Sequence, residues 1–231
     1  MASNAAATGR AYRRAMPARR SALLLIPTAV AAVALAGCAV GDDGPRTSQT
    51  RAVAPFTRID NNASVDVRLH VGGPQHVEVR AGRKVIDDVR TEVRDGTLRL
   101  TFHRDNLFGD DVVVDATVPK LTGVEASGSG DIDADGIAAD AFDVRSDGSS
   151  DIALEGEVAR LAVDIDGSGD ADLTDLTARE AHVQVGGSGN ADVSAVRRLD
   201  VKVDGSGDVH YHGHPAVTRQ VDGSGDLSHA D

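Results

Sequence analysis

The chemistry written most plainly in this chain is a series of evenly spaced carboxylates. Asp131, Asp151, Asp170, Asp208 and Asp226 each stand two residues after the central Ser of a Gly-Ser-Gly-Asp tetrapeptide or near copy, and Asn190 takes that place in one copy. A second set, Asp147, Asp166, Asp204 and Asp222, stands two residues before the Ser. If the copies stack strand on strand, each column sets like charges one strand apart, which destabilises a sheet. Ca²⁺ would relieve this, since it takes carboxylate and backbone oxygens. So would a turn in which each Asp accepts backbone N–H groups, a common role for Asp, with solvent screening the remaining repulsion. The repeat of a Ca²⁺-binding β-roll is about nine residues, roughly half the period here. Turn chemistry is therefore the favoured reading, and no metal or cofactor is assigned.

Other groups are weighed the same way. His210 and His212, within His210-Tyr211-His212-Gly213-His214, share one face of a strand and could bind Zn²⁺, Cu²⁺ or Ni²⁺ as a pair. Exposed strand and turn positions explain them as well. The six central serines cannot each be a nucleophile, and none sits in a Gly-X-Ser-X-Gly elbow with a placed His. Gly-Ser-Gly does not match a phosphate-cradling GxxxxGK[ST] loop, and its surroundings are acidic. Paired carboxylates would suit glycoside hydrolysis, but the chain is only 3% aromatic and has no Trp to stack on sugars. No catalytic residue is assigned.

What must position the carboxylates is a repeat. The central serines are Ser129, Ser149, Ser168, Ser188, Ser206 and Ser224, spaced 18 to 20 residues apart. A fixed period of this length marks a solenoid, in which one unit stacks on the next. Positions −5, −3, +3 and +5 from each Ser are mostly apolar, as in Val163, Ile165, Ala171 and Leu173 around Ser168. These odd offsets share one face of a strand. The glycines at −1 and +1 fall on that inward face, and Ser and both Asp positions point out. The glycines read as a corner where a Cβ would crowd the interior. Ser146, and Arg219 in the last copy, are exceptions at inward positions, the second as expected of a terminal rung.

Before the repeats, residues from Pro55 alternate with period two: Val65, Val67 and Leu69; Val77 and Val79; Leu98, Leu100 and Phe102. Turn signals stand at Gly72-Gly73-Pro74 and Asp95-Gly96. Lys84–Asp88 could form one helical turn, Asp105–Asp111 reads as a loop, and Val112–Val118 is a further strand. The fold expected is all-β: a β-rich N-terminal section leading into a parallel β-helix, a β-solenoid with rungs of about 19 residues.

The first 37 residues are set apart. Arg10, Arg13, Arg14, Arg19 and Arg20 precede an apolar run, Ser21–Ala36, that ends in Leu35-Ala36-Gly37-Cys38. This is the pattern of an export signal, and its end resembles the lipobox of bacterial lipoproteins. The resemblance implies a diacylglyceryl group on Cys38, the only Cys, and cleavage before it. The expected organisation is a signal peptide over 1–37, a polar tether over 38–54 and a β-solenoid adhesin-like domain over 55–231. Cleavage would leave 19 basic against 36 acidic side chains, a formal charge of −17. Nucleic acid is then excluded as a partner, because a phosphate-binding face needs concentrated basic charge.

The stretch FTRIDNNASVDVRL (Phe56–Leu69), then Val77-Glu78-Val79, Asp95-Gly96-Thr97-Leu98, Val118-Pro119-Lys120-Leu121 and the Gly-Ser-Gly-Asp ladder appear in that order. The order resembles the putative auto-transporter adhesin, head GIN domain family over about residues 55–231. The resemblance implies an exported bacterial β-solenoid, often lipid-anchored, and brings no catalytic residues with it. The expected protein is extracytoplasmic and not an enzyme. It is held to the bacterial membrane by lipid and presents its solenoid to an envelope or extracellular ligand for adhesion, binding or envelope structure. A glycan-acting β-helix enzyme and a sensor or regulator of envelope stress are the alternatives.

Overall fold

Residues 44–103 and 112–230 are described by the structure, a computed structural model of the full chain. All regular structure among them is β. The repeats form long strands: β9 (Ile132–Ser146), β10 (Ile152–Ile165), β11 (Ala171–Val185) and β12 (Ala191–Val203). They run parallel and in register, Ile132 beside Ile152, Ala171 and Ala191, and Val144 beside Val163, Val183 and Val201. The next rung is broken into β13 (Val209–His212) and β14 (Ala216–Val221), and β15 (Leu227–His229) begins one more beside β13. The inward columns pack one rung on the next, and each fully buried Val, Leu or Ile contributes about 1.5–3 kcal/mol. This is the β-solenoid expected from the period.

Every rung turns twice. One turn is the Gly-Ser-Gly-Asp corner between long strands. The other lies within the strand, where the pairing shifts register, between Leu154 and Gly156 in β10 and between Leu173 and Thr177 in β11. The alternation of buried and exposed residues around the first corner is as the sequence indicates: Ile165 and Ala171 are buried, and Asp166, Ser168 and Asp170 are exposed.

The reason for the glycines differs from the one expected. A Cβ at Gly167, Gly169, Gly187 or Gly207 would lie 1.9–2.1 Å from a backbone oxygen of the preceding rung (Gly148, Ser150, Gly167 and Gly189, respectively). The obstacle is therefore the neighbouring coil, not the side chains of the interior. Backbone this close is what lets the corner hydrogen-bond along the stack: Ser168 N–H donates to Gly148 O at 2.9 Å, and Ser188 N–H to Gly167 O at 2.9 Å.

The N-terminal section holds a rung hidden from the period. Strands β2 (Arg58–Asn61) and β3 (Asp66–Val71) lie beneath β8 (Gly123–Ala126) and the start of β9, with Ile59 beside Val124 and Val67 beside Ile132. Their connection, Asn62-Ala63-Ser64-Val65-Asp66, is a degenerate corner: the Ser64 and Ser129 hydroxyls are 2.8 Å apart. On its other side run Thr97–Leu100, beside Arg58–Asn61, and Val113–Val118, beside Asp66–Val71; Ala63 and Val65 take the places that most later corners give to Gly. Asn61 is fully buried and holds this corner from within, its amide donating to Val65 O at 2.8 Å and Gly130 O at 3.1 Å.

Between β3 and β8 the chain makes a detour. β4 (His76–Gly82) and β7 (Val113–Val118) extend one face of the solenoid, with β7 parallel to β3 and antiparallel to β4. β5 (Val89–Arg94) and β6 (Thr97–Phe102) form a hairpin beside β2. Its turn is Asp95-Gly96, both at positive φ (50° and 73°), as a two-residue hairpin requires. Arg83–Asp88 forms a hydrogen-bonded turn rather than a helix, burying Val85 and Ile86.

Part of the segment expected as a tether over 38–54 is a strand. Arg46–Thr50 forms β1, antiparallel to β4, with Gln49 opposite Val79. The segment is polar and aperiodic because it adds an edge strand held by main-chain bonds rather than by an apolar face. The signal segment over 1–37, Cys38 and the loop over Asp105–Asp111 lie outside the described residues.

Candidate functional site

The carboxylate column resolves into a ladder of side-chain-to-backbone bonds. Asp66 Oδ1 accepts the Asp131 N–H at 3.3 Å, Asp131 that of Asp151 at 3.0 Å, and Asp151 that of Asp170 at 2.9 Å. Asp170 accepts the Asn190 N–H at 2.8 Å and its side-chain amide at 3.0 Å. Asn190 Oδ1 then accepts the Asp208 N–H at 2.9 Å, and Asp208 Oδ1 that of Asp226 at 2.7 Å. At this corner the main chain swings away from the rung below, and the side chain supplies the acceptor that a carbonyl would supply in a straight strand. That each link needs only one oxygen explains why Asn190 can stand in. The column is the turn chemistry favoured from sequence, and it begins one rung earlier, at Asp66.

The histidines are dispersed rather than convergent. His210 Nδ1 lies 3.2 Å from Asp192 Oδ1 in the rung below. His214 and Tyr211 gather instead around His229, with ring centroids 5.6 Å and 5.0 Å away, and His229 Nε2 lies 2.9 Å from Gly213 O. Among the described residues no three His, Cys, Asp or Glu side chains converge as metal ligands.

A groove of about 690 Å³ lies on the outer face of the sheet formed by β4, β7, β3, β9, β10 and β11. The detour through β4 and β7 builds one flank, with Glu78, Arg80, Asp115 and Thr117. The solenoid builds the floor and opposite flank, with Arg68, Asp133, Asp135, Glu155 and Asp172. Register sets these in a row: Glu78 beside Asp115, Asp115 beside Arg68, and Arg68 beside Asp133. His70 Nδ1 lies 2.5 Å from Asp135 Oδ1, and Arg80 bridges Glu78 at 3.0 Å and Asp115 at 3.2 Å. The Ser48 hydroxyl and the Arg80 guanidinium bond to Glu78 and hold its carboxyl below the usual Glu range.

This face offers many charged acceptors, a few cationic donors and no Phe, Tyr or Trp among its lining residues, so it suits a polar or cationic ligand held by hydrogen bonds. Glu78, whose carboxyl is held below its usual range, does not fit a general acid, which requires a carboxyl shifted upward. A carboxyl raised by burial does occur elsewhere: Asp60 on β2, beneath Arg99 and bonded by Asn62, lies outside the groove. A smaller cleft of about 270 Å³ lies between Arg58, Asp143, His182 and Gln184, with the Arg58–Asp143 pair at 2.7 Å on its rim.

Sequence reasoning passed over the groove. Part of its signal was present, because Asp133 and Asp172 both stand four residues after a central Ser, an outward position of the same repeat. Arg68, Glu78, Arg80 and Asp115 belong to strands whose pairing partners are distant in the chain, and no spacing announces them.

Residues 55–215 match the family described as "Putative auto-transporter adhesin, head GIN domain". Among solved structures, the chain is similar to a putative adhesin from Bacteroides fragilis at 20% identity and a TM-score of 0.68, covering 80% of this chain and 97% of that one. A putative adhesin from Parabacteroides merdae aligns at 16% identity and a TM-score of 0.52, covering 81% and 97%. At these identities the likeness speaks for the fold alone. Comparison with curated proteins gives no match.

Proposed function

The chain belongs to the putative auto-transporter adhesin, head GIN domain family, and from that premise we propose that it is a lipid-anchored surface protein that binds rather than catalyses. Its thiol at Cys38 carries the lipid, the segment between Cys38 and β1 spaces the solenoid from the membrane, and the groove face engages an envelope or extracellular ligand. The observation that carries this reading is the division of labour among the acids. Those two residues after each corner Ser form the ladder, whereas Asp133, Asp135, Glu155 and Asp172 stand on an open face beside Arg68. The putative adhesins of similar fold agree with a surface role outside the cytoplasm.

The test uses the full chain in native membranes. Cys38→Ser should move it from the membrane to the soluble fraction. For the groove, isolated envelope polymers are passed over the purified chain and over an Arg68→Ser, Asp133→Ser, Asp172→Ser variant. These side chains project from strands without supporting the core, so the variant should melt within a few degrees of the parent and retain at least tenfold less bound material. Equal retention by the variant, or release of cleaved fragments by the parent, would overturn the binding reading.

A further inference from the structure

The two ends of the solenoid are finished differently. At the N-terminal end the first corner has its donors occupied: Asn62 N–H by Leu100 O at 3.0 Å, Ala63 N–H by Asn61 Oδ1 at 3.3 Å, and Asp66 N–H by Val112 O at 2.9 Å. At the C-terminal end β14 is exposed along its whole length and, among the described residues, pairs only with β12. Val221 is 38% exposed, while Val203, its equivalent one rung earlier, is fully buried.

The ladder at the corner has a direction, and that direction states what this end accepts. In each rung the carbonyl three residues before the Ser takes two N–H groups from the next rung: Val203 O takes those of Asp222 at 2.8 Å and Gly223 at 3.1 Å. The carbonyl one residue before takes the next Ser N–H, as Gly205 O does from Ser224 at 2.9 Å. The Asp carboxylate takes the N–H of the next Asp, as Asp208 does from Asp226 at 2.7 Å. In the last rung the same acceptors are Val221 O, Gly223 O and Asp226 Oδ1, fixed in place by the rung beneath.

We propose that this open end is a strand-docking site for an extended segment of a partner protein with a Gly-X-Gly corner, added in parallel as one further rung. Main-chain bonds to a sheet edge supply affinity in such an arrangement, and alternate side chains supply specificity. Glycine is required on both sides of the central residue because a Cβ there would meet Gly223 O and Gly225 O, as one at Gly225 would meet Gly207 O at 2.0 Å. Five residues before the corner the segment faces Arg219, which replaces the aliphatic residue of that column and lies beside Val201; an acid there pairs with it. A second copy of this chain does not supply the pattern. Its own open end presents the same acceptors, and its first corner has its donors bound internally.

The probe is a capped, fluorescent peptide with the sequence of residues 199–211, alone and with Val201→Asp. Added to the detergent-solubilised full chain, it should bind saturably and slow amide exchange in β14 and β15. The Val201→Asp peptide should bind more tightly, and Arg219→Ala in the protein should erase that difference. Asp226→Ala should weaken binding about tenfold without changing the melting temperature, because no rung rests on that carboxylate. Peptides with Gly205→Val or Gly207→Val should not bind. The proposal fails if no saturation is seen at millimolar peptide, if the Val-substituted peptides bind equally, if protection appears at the groove instead, or if the chain pairs with itself through β14 and excludes the peptide.

Discussion

The Gly-Ser-Gly-Asp corner and the opposite bend turn the chain by comparable amounts, yet they tolerate sequence very differently. The corner repeats its residues rung after rung because three demands meet there: close approach of successive backbones, a donor ladder, and a carboxylate that completes it. The bend is made by Asp135-Gly136 in β9, Glu155-Gly156 in β10, Thr174-Asp175 in β11, Ser194-Ala195 in β12 and His212-Gly213 after β13. Where Gly stands at the bend its φ is positive, at 73°, 146° and 91°, while β11 and β12 make the same bend without Gly, and the pairing shifts register in both cases. Two solutions to one turn leave the bend free to vary, and it is the variable bend, through Asp135, Glu155 and Asp175, that borders the groove. Repetition marks the scaffold here, and departure from it marks the surface open to a ligand.

The largest effect separating the two should come from a Cβ placed in the corner. In Gly167→Val the new atom would lie 2.1 Å from Gly148 O, and relief requires parting two backbones along the stack. A loss of about 3 kcal/mol or more is expected in denaturant unfolding. Gly186→Ala is the paired control, because its Cβ would meet only the Asp166 carboxylate, at 2.4 Å, a side chain free to rotate. Similar losses in both would mean that the corner is not close-packed along the stack.

This contrast also explains how much could be read in advance. The period, the inward columns and the outward Asp positions follow from residue type and spacing, so the solenoid was legible. The first rung was not, because Ala63 and Val65 replace both glycines and 65 residues separate Ser64 from its partner Ser129. Beneath it run β6 and β7 of the detour rather than another copy of the repeat. The detour strands were legible as strands through Val77, Val79, Leu98 and Leu100, but not as neighbours. Since β7 enters between β3 and β4, half of the groove is a product of topology alone. β1 escaped notice because it is polar and binds through its backbone.

The next effect concerns the ladder. Asp170→Ala leaves the Asn190 N–H and side-chain amide without their acceptor and should cost about 1–3 kcal/mol. Asp175→Ala, at the bend of the same rung, should change stability by less than about 0.5 kcal/mol. Equal costs would erase the distinction between the corner and the bend.

A smaller change tests the space just inside the corner. Ser146 and Ser150 are fully buried, and neither hydroxyl has a hydrogen-bond partner. Ser146 lies beside Ala126 below and Ile165 above, in a column otherwise largely apolar. Ser146→Ala removes the orphaned hydroxyl without adding volume and should raise stability by about 1 kcal/mol. A loss instead would show that the hydroxyl is satisfied and that the interior of the corner is polar by design.

The smallest effect separates hydrogen bonding from ion binding as the purpose of the column. Asn190 is the one amide in it, giving its side-chain N–H to Asp170 and taking the Asp208 N–H in turn. Asn190→Asp restores the repeat but forfeits the first bond and turns the column, from Asp66 to Asp226, into an unbroken run of carboxylates. If the column exists to hold the backbone, this substitution should lower stability by about 0.5–1 kcal/mol, and the loss should shrink as salt screens the added charge. Millimolar Ca²⁺ should then act no differently from the same ionic strength of NaCl. If the column exists to hold cations, the added carboxylate strengthens the site, and Ca²⁺ should raise the melting temperature of Asn190→Asp above that of the parent. Thermal unfolding of the two chains in NaCl and in CaCl₂ distinguishes the outcomes. The second result would return the corner acids to the ligand-binding surface, from which the ladder geometry removes them.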